Sequence, residues 1–191
     1  MSEEISILAF AGSTRKSSFN KSMVRAAVDG AEDAGAEVTY IDLRDYPLPL
    51  YNGDLEAAEG LPDNALRLKK LFEGHDGLLI ASPEYNSSYS AILKNAIDWV
   101  SRPAREDEPM LHSFAGKKAV IMATSPGAMG GLRGLYALRE LLMNIMVTVH
   151  PNMLALGGAF DEFDESGKLK NADKEQSVRQ LGAQLVEMLS E

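Results

Sequence analysis

A cationic, hydroxyl-rich stretch near the start of the chain has the residue types that bind anions. Residues 5–28 contain no Asp or Glu, although the protein has a formal net charge of −9. The basic residues of this stretch are Arg15, Lys16, Lys21 and Arg25. The stretch follows an apolar run and leads into a helical pattern, and a helix N-terminus adds unpaired N–H groups and a positive dipole end. We therefore interpret residues 12–20 as an anion-binding loop.

The loop differs from two familiar phosphate-binding patterns. It lacks the Gly-Lys pair of a P-loop and the spaced glycines of a dinucleotide fingerprint. Its hydroxyl and amide groups suit a terminal phosphate dianion surrounded by side-chain donors and backbone N–H groups. The alternative is an ordinary surface turn in which Ser18 or Asn20 caps the following helix. The charge and the position of the loop together favour the anion site.

Apolar runs that alternate with helical patterns predict the elements that position this loop. The runs cover residues 5–10, 38–41, 78–81, 119–123 and 146–149. They are continuously apolar, which is typical of parallel strands covered on both faces. The predicted helices cover residues 20–34, 63–72, 90–100, 132–144 and 172–189, and Gly35 is a plausible stop for the first. The alternation predicts a doubly wound α/β sheet, and we expect residues 1–191 to form a single domain.

Composition excludes several classes of function. The chain contains no Cys, which excludes disulfides, thiolate metal sites and Cys nucleophiles. No apolar stretch approaches the roughly 20 residues of a membrane span, and the polar start lacks the pattern of a secretory signal. The acidic balance argues against nucleic-acid binding. We expect a cytoplasmic protein without a membrane or nucleic-acid partner.

Three loops follow predicted strands and should meet at one edge of the sheet. They are residues 12–19, 82–89 and 124–131. In an open α/β sheet, ligands bind outside the carboxyl ends of the strands, where these loops would converge. The glycines of the third loop allow close backbone approach to a flat ring. Residues 46–61 form the remaining irregular segment, which is either a mobile cover or a partner surface.

Three motifs together resemble one known family. The first is the Gly-Ser-x-Arg-x-x-Ser-x-Asn pattern of residues 12–20, and the second is the Pro-Glu-Tyr-Asn turn of residues 83–86. The third is the Leu-Lys-Asn-Ala-x-Asp-Trp helix of residues 93–99. The combination resembles the NADPH-dependent FMN reductase family of flavodoxin-like proteins. This resemblance implies a three-layer sandwich with a five-stranded parallel sheet in the order 2-1-3-4-5.

The resemblance also implies a set of residues that bind FMN. The phosphate contacts would be Ser13, Arg15, Ser18 and Asn20. The turn against the isoalloxazine would be Pro83, Glu84, Tyr85 and Asn86, with backbone amides near the ring edge. The flavin site would be completed by Thr124, Ser125 and Gly127. One departure is Ser90–Ala91, where family members often have Pro-Gly, although Ser90 can act as an N-cap.

The function implied is hydride transfer from NADPH or NADH through FMN to a small-molecule acceptor. The acceptor classes are quinones, azo compounds, metal oxyanions and free flavin, and the family suggests a homodimer or homotetramer with residues 132–142 as a candidate interface. A flavin carries this chemistry itself, so no catalytic acid–base pair is expected. No metal is expected either, since the three His residues show no ligand spacing. Two alternatives remain open: a non-catalytic FMN electron carrier and a flavin-sensing interaction protein.

Overall fold

Buried apolar strands form a parallel sheet at the centre of the molecule. The computed structural model describes residues 4–191. Its strands are β1 (Ser6–Ala11), β2 (Glu37–Asp42), β3 (Gly77–Ala81), β4 (Lys118–Thr124), β5 (Thr148–Val149) and β6 (Leu154–Leu156). The order β2-β1-β3-β4-β5 confirms the predicted topology, and β6 adds a sixth strand that pairs with β4. All neighbouring strands are parallel, so their carboxyl ends lie at one edge.

The edge beside β4 consists of two short strands instead of the single strand predicted at residues 146–149. β5 pairs with the start of β4, and β6 pairs with its last three residues. Pro151 lies between them and lacks the backbone N–H that a continuous ladder requires. Met146 has a φ of 68°, so it lies outside the strand. The predicted strand was therefore wrong at residues 146–147, and β6 was missed.

Helices cover both faces of the sheet. They are α1 (Phe19–Asp33), α2 (Gly53–Glu59), α3 (Asp63–Glu73), α4 (Ala91–Val100), α5 (Leu132–Asn144), α6 (Ala159–Glu162) and α7 (Ala172–Ser190). The apolar sides of α1 and α7 form one core, and those of α3, α4 and α5 form the other. Gly35 follows α1 with a φ of 94°, as expected of a glycine stop. Among residues 4–191, no helix is long and apolar enough to cross a membrane.

The segment predicted to be irregular at residues 46–61 is held against α4. Asn95 accepts a hydrogen bond from the N–H of Tyr51 at 2.8 Å, and its amide donates to the carbonyl of Pro49 at 2.8 Å. The indole N–H of Trp99 donates to the same carbonyl at 2.8 Å. α2 lies inside this segment and buries none of its residues, so it shows no helical pattern of apolar residues. The segment is therefore anchored at its start and helical in its middle.

Candidate functional site

The first loop, residues 12–18, is fastened to the beginning of α4. The N–H of Gly12 donates to the carbonyl of Ala81 at 2.8 Å, and the Ser90 hydroxyl donates to the carbonyl of Gly12 at 2.6 Å. A Cβ at Gly12 would lie 3.1 Å from both Ser90 Oγ and Leu93 Cβ, so this close approach favours glycine. Ser90 Oγ also accepts from the N–H of Leu93, which confirms the expected N-cap. One hydroxyl thus joins the first loop to α4.

The first loop presents several backbone donors without intrachain partners. Within residues 4–191, the N–H groups of Thr14, Lys16, Ser17 and Ser18 have no hydrogen-bond acceptor. The Arg15 N–H donates to Ser13 Oγ at 3.3 Å, while the Arg15 and Lys16 side chains are exposed. The first turn of α1 contains no acidic residue. Free N–H groups, two cations and a helix N-terminus together suit a phosphate.

Two of the four cations in the acid-free stretch are engaged elsewhere. Lys21 Nζ forms an ion pair with Asp42 Oδ2 at 2.5 Å, and the Lys21 side chain is 4% exposed. Arg25 lies over the Tyr40 ring, with its guanidinium carbon 4.8 Å from the ring centroid. Lys21 and Arg25 therefore fix α1 to β2. The charge pattern of the sequence does not show that these two cations bind protein groups while Arg15 and Lys16 stay exposed.

Asn20 and Thr124 join the first loop to the third. The Asn20 amide donates to the Thr124 carbonyl at 2.9 Å and accepts from the Thr124 N–H at 3.1 Å. The Thr124 hydroxyl donates to the carbonyl of Leu156 at 2.8 Å. Both side chains are buried, as are those of Ser13 and Ser18. The structure thus shows Asn20 and Thr124 bonded to protein groups, in addition to the ligand contacts expected of them.

The second loop contains a tight two-residue turn. The N–H of Tyr85 donates to the carbonyl of Ser88 at 2.8 Å, and the N–H of Ser88 donates back at 3.1 Å. Asn86 and Ser87 both have positive φ, 52° and 69°, as in a type I′ turn. In the described part of the chain their N–H groups have no acceptor. The turn therefore offers two adjacent donors.

A cleft of about 530 Å³ separates the second loop from the third. Its lining residues are Glu84, Asn86, Ser87, Ser125, Gly127, Ala128, Met129, Gly131 and Arg133. The cleft thus brings together four of the expected cofactor residues, while Pro83, Tyr85 and Thr124 are absent from its lining. Arg15 and Ser18 line a different hollow of about 490 Å³, which they share with residues 160–167. A Cβ at Gly127 would approach only Ser125 Oγ, at 3.9 Å, so the floor of the cleft is open.

Glu84 fixes the second loop to α5. Its Oε1 accepts a hydrogen bond from Arg133 Nε at 2.8 Å and forms an ion pair with Nη2 at 2.5 Å, and its Oε2 accepts from the N–H of Gly134 at 3.2 Å. Burial alone would raise the pKa of Glu84, but the hydrogen bonds from Arg133 and Gly134 outweigh it and hold the pKa below its ordinary value. The sequence places Arg133 in the candidate interface of residues 132–142, whereas the structure pairs it with Glu84. The sequence offered one signal for this contact: Arg133 is a cation in the first turn of a helix, and that turn contains no acidic residue.

The chemistry of the three loops fits FMN. The first loop presents donors that suit a phosphate, and the second and third line an open cleft with free amides and little side-chain bulk. Across residues 4–191 there is no cluster of three His, Asp or Glu side chains that could hold a metal ion. The site therefore has the donors for an anionic cofactor with a flat, hydrogen-bonding ring.

Comparison with known proteins identifies relatives that match this chain over most of their own length. A quinone reductase from Pseudomonas putida is 36% identical over 90% of this chain and 88% of its own length. An NAD(P)H-dependent FMN reductase from Pseudomonas aeruginosa is 35% identical over 94% of this chain and 92% of its own length.

Solved structures and a family model indicate the same relationship. The flavoenzyme NAD(P)H:(acceptor) oxidoreductase from Paracoccus denitrificans has a similar structure, with a TM-score of 0.80, 28% identity and 97% coverage of both chains. The sequence model of the family described as NADPH-dependent FMN reductase matches residues 5–161, which include all three loops. With the parallel sheet and the FMN-compatible loops, these similarities show that the chain is a flavin-dependent oxidoreductase that belongs to the NADPH-dependent FMN reductase family.

Proposed function

We propose that this protein transfers a hydride from NADPH or NADH, through FMN, to a small-molecule acceptor, and that quinones are among its acceptors. The observation that carries the proposal is that a donor-rich loop and an open, amide-lined cleft, in neighbouring hollows, both follow the carboxyl ends of parallel strands. The names of the relatives, FMN reductase and quinone reductase, support the same chemistry. Azo compounds, metal oxyanions and free flavin are further acceptor classes to be tested.

The proposed roles of the residues follow from what each loop offers. Arg15 and the free N–H groups of residues 14–18 would bind the phosphate. The amides of Asn86, Ser87 and Gly127 would face the ring, because they line the cleft and have no acceptor in the described chain. When bound, the flavin supplies the hydride chemistry. The protein binds and orients the flavin and leaves space beside it for a substrate.

Glu84 is poorly suited to act as a general base. Arg133 and the N–H of Gly134 occupy its two oxygens, and its side chain is only 8% exposed. Its lowered pKa keeps it ionised while those donors hold it in place. We therefore assign it the role of positioning the second loop, which agrees with a mechanism that needs no acid–base pair from the protein.

We also propose that the protein is a homodimer or a homotetramer. Tyr136 and Met143 are each 60% exposed and lie seven residues apart, on one side of α5. Large apolar side chains in such a row are typical of surfaces that become buried on association. Sedimentation or light scattering of the purified protein would measure the oligomeric state directly.

Steady-state NADPH oxidation tests the proposed activity. The FMN-loaded protein should oxidise NADPH or NADH in the presence of a quinone. If the two substrates react in turn at one cleft, double-reciprocal plots at several quinone concentrations should be parallel. A protein that binds FMN and shows no turnover with any quinone, azo compound, oxyanion or flavin would contradict the proposal. That result would favour the electron-carrier or sensor alternative.

A further inference from the structure

The third loop rests on the backbone of residues 155–159, which run from β6 into α6 and lie outside the lining of the cleft. The N–H of Ser125 donates to the carbonyl of Leu156 at 3.2 Å, and the N–H of Ala159 donates to the carbonyl of Ser125 at 3.1 Å. The Thr124 hydroxyl donates to the same Leu156 carbonyl at 2.8 Å. Three hydrogen bonds thus join the start of the third loop to this backbone.

Farther along the third loop, the two backbones touch without a side chain between them. A Cβ at Gly157 would lie 2.6 Å from the carbonyl oxygen of Ala128 and 2.9 Å from that of Gly127. A Cβ at Gly130 would lie 2.7 Å from the Gly157 nitrogen. Atoms in a packed protein do not approach one another this closely, so the loop would have to move to admit a side chain. Gly157 does not have a positive φ, so this contact alone calls for glycine.

The peptide group that joins Gly127 to Ala128 connects Gly157 with the cleft. Its oxygen is one of the two atoms that a Cβ at Gly157 would meet, and both of its residues line the cleft. Among residues 4–191, the N–H groups of Gly127 and Ala128 have no acceptor. A peptide group is planar, so a side chain that displaces the Gly127 oxygen also turns the Ala128 N–H. The depth of the loop over Gly157 therefore sets the direction of donors that the cleft offers.

From these contacts we infer that Gly157 is a positioning residue for the flavin. The lack of a side chain there lets the third loop lie at the depth that directs its N–H groups at the ring. The inference rests on the proposed function for the presence of FMN and on the backbone contacts for the role of Gly157. Hydrogen-bond donors at the ring stabilise the negative charge that a flavin gains on reduction. The position of the loop therefore affects the reduction potential of FMN as well as its affinity.

Two neighbouring glycines provide a matched pair of variants. Gly157→Ala adds a methyl group where the third loop lies, at a backbone conformation without positive φ. Gly158→Ala adds the same group where φ is 70°, and there the Cβ would meet none of the described residues within 4 Å. The control is therefore strained but leaves the loop in place. It should lower the Tm by about 2–4 °C and change the Kd for FMN less than about twofold.

Gly157→Ala should weaken FMN binding about tenfold, the loss expected of one or two hydrogen bonds, and should make the midpoint potential of bound FMN more negative. Fluorescence titration and a redox titration at saturating FMN measure the two effects. Equal affinity and potential in the two variants would overturn the inference. Weaker binding with an unchanged potential would also overturn it, since the donors would not have turned. If the unmodified protein binds no FMN, the proposed function fails together with the inference; if it binds FMN and the variants are alike, the inference alone fails.

Hydrogen exchange of the unmodified protein provides a test that needs no variant, and it decides the question if Gly157→Ala does not fold. When FMN binds, the N–H of Ala159 should exchange severalfold more slowly although it lies outside the cleft, because it is bonded to the third loop. The N–H of Gly74, at the end of α3, is the reference for a general gain in stability. Equal slowing at Ala159 and Gly74 would overturn the inference.

Discussion

At the scale of single residues, several polar side chains of the candidate site bind protein groups and hold its loops in place. Asn20 bonds to Thr124, Ser90 bonds to Gly12, and Glu84 bonds to Arg133. Each of these contacts spans at least 49 residues of sequence and joins separate elements at the carboxyl edge of the sheet. The motifs locate the site, but sequence cannot tell a residue that contacts ligand from one that holds a loop, because both are polar and both follow a strand.

Arg15 is the residue whose removal should separate ligand binding from folding. Its side chain is exposed and forms no hydrogen bond within residues 4–191. Arg15→Ala should therefore change the free energy of unfolding by less than about 0.5 kcal/mol. It should weaken FMN binding about tenfold or more, because a charged hydrogen bond to phosphate is lost. Fluorescence titration of FMN and urea unfolding measure the two effects, with Arg105→Ala as the control. Unchanged FMN affinity would count against the phosphate site.

Removal of the Asn20 side chain, unlike that of Arg15, should lower the free energy of unfolding. Asn20→Ala removes two hydrogen bonds and leaves the buried backbone of Thr124 without partners, so the free energy of unfolding should fall by about 2 kcal/mol. Ser22→Ala is a suitable control, since the described chain offers Ser22 no side-chain hydrogen bond. Chemical unfolding of the FMN-free proteins checks the difference. Equal stability of the two variants would show that the Asn20–Thr124 contact does not hold the loops.

At the scale of elements, continuous apolar runs predicted strands β1 to β4, and helical patterns of apolar residues predicted helices α1, α3, α4, α5 and α7. α2 was not predicted because it buries no residue and therefore carries no amphipathic pattern. The division of the edge into β5 and β6 depends on Pro151 and on the pairing of each short strand with a different part of β4. Such short strands are determined by tertiary pairing more than by local sequence.

The type I′ turn of the second loop gives a prediction about an element. Ser87 has a φ of 69°, a conformation that costs a residue with a side chain about 1 kcal/mol more than it costs glycine. Ser87→Gly should therefore stabilise the protein by about 0.5–1 kcal/mol, while FMN binding through the backbone amide is retained. Ser88→Gly, at a position without positive φ, should stabilise nothing. Thermal unfolding compares the two, and a less stable Ser87→Gly protein would contradict the turn assignment.

At the scale of the whole molecule, a buried ion pair fastens the connection between α4 and β4 to α3. Lys69 Nζ lies 2.5 Å from Glu108 Oε1 and 3.0 Å from Ser113 Oγ. The Lys69 and Glu108 side chains are only 4% and 3% exposed. Burial alone would raise the pKa of Glu108, but hydrogen bonds from Lys69 and the N–H of Ala104 hold it below its ordinary value of 4.5.

This pair predicts a pH dependence of stability. The pKa of Glu108 is lower in the folded protein, so its contribution is fully present above pH 4.5 and is lost as the pH falls through the folded-state pKa. At neutral pH, Glu108→Gln should lower the free energy of unfolding by about 3 kcal/mol, since the buried Lys69 loses its nearer carboxylate and keeps only that of Glu73, 3.5 Å away. The difference from the unmodified protein should shrink in acid. Glu106→Gln, at an exposed position, is the control; a difference that is constant with pH would exclude this role for Glu108.

The central claim concerns the whole molecule: the three loops bind FMN in a form that NADPH or NADH reduces. The most direct measurement is the visible spectrum of the purified protein, loaded with FMN without oxygen and then treated with each donor. We expect one FMN per chain, loss of the flavin absorption band on addition of NADPH or NADH, and its return when a quinone is added. A protein that takes up no FMN, or whose bound FMN keeps its absorption band with both donors, would contradict the account.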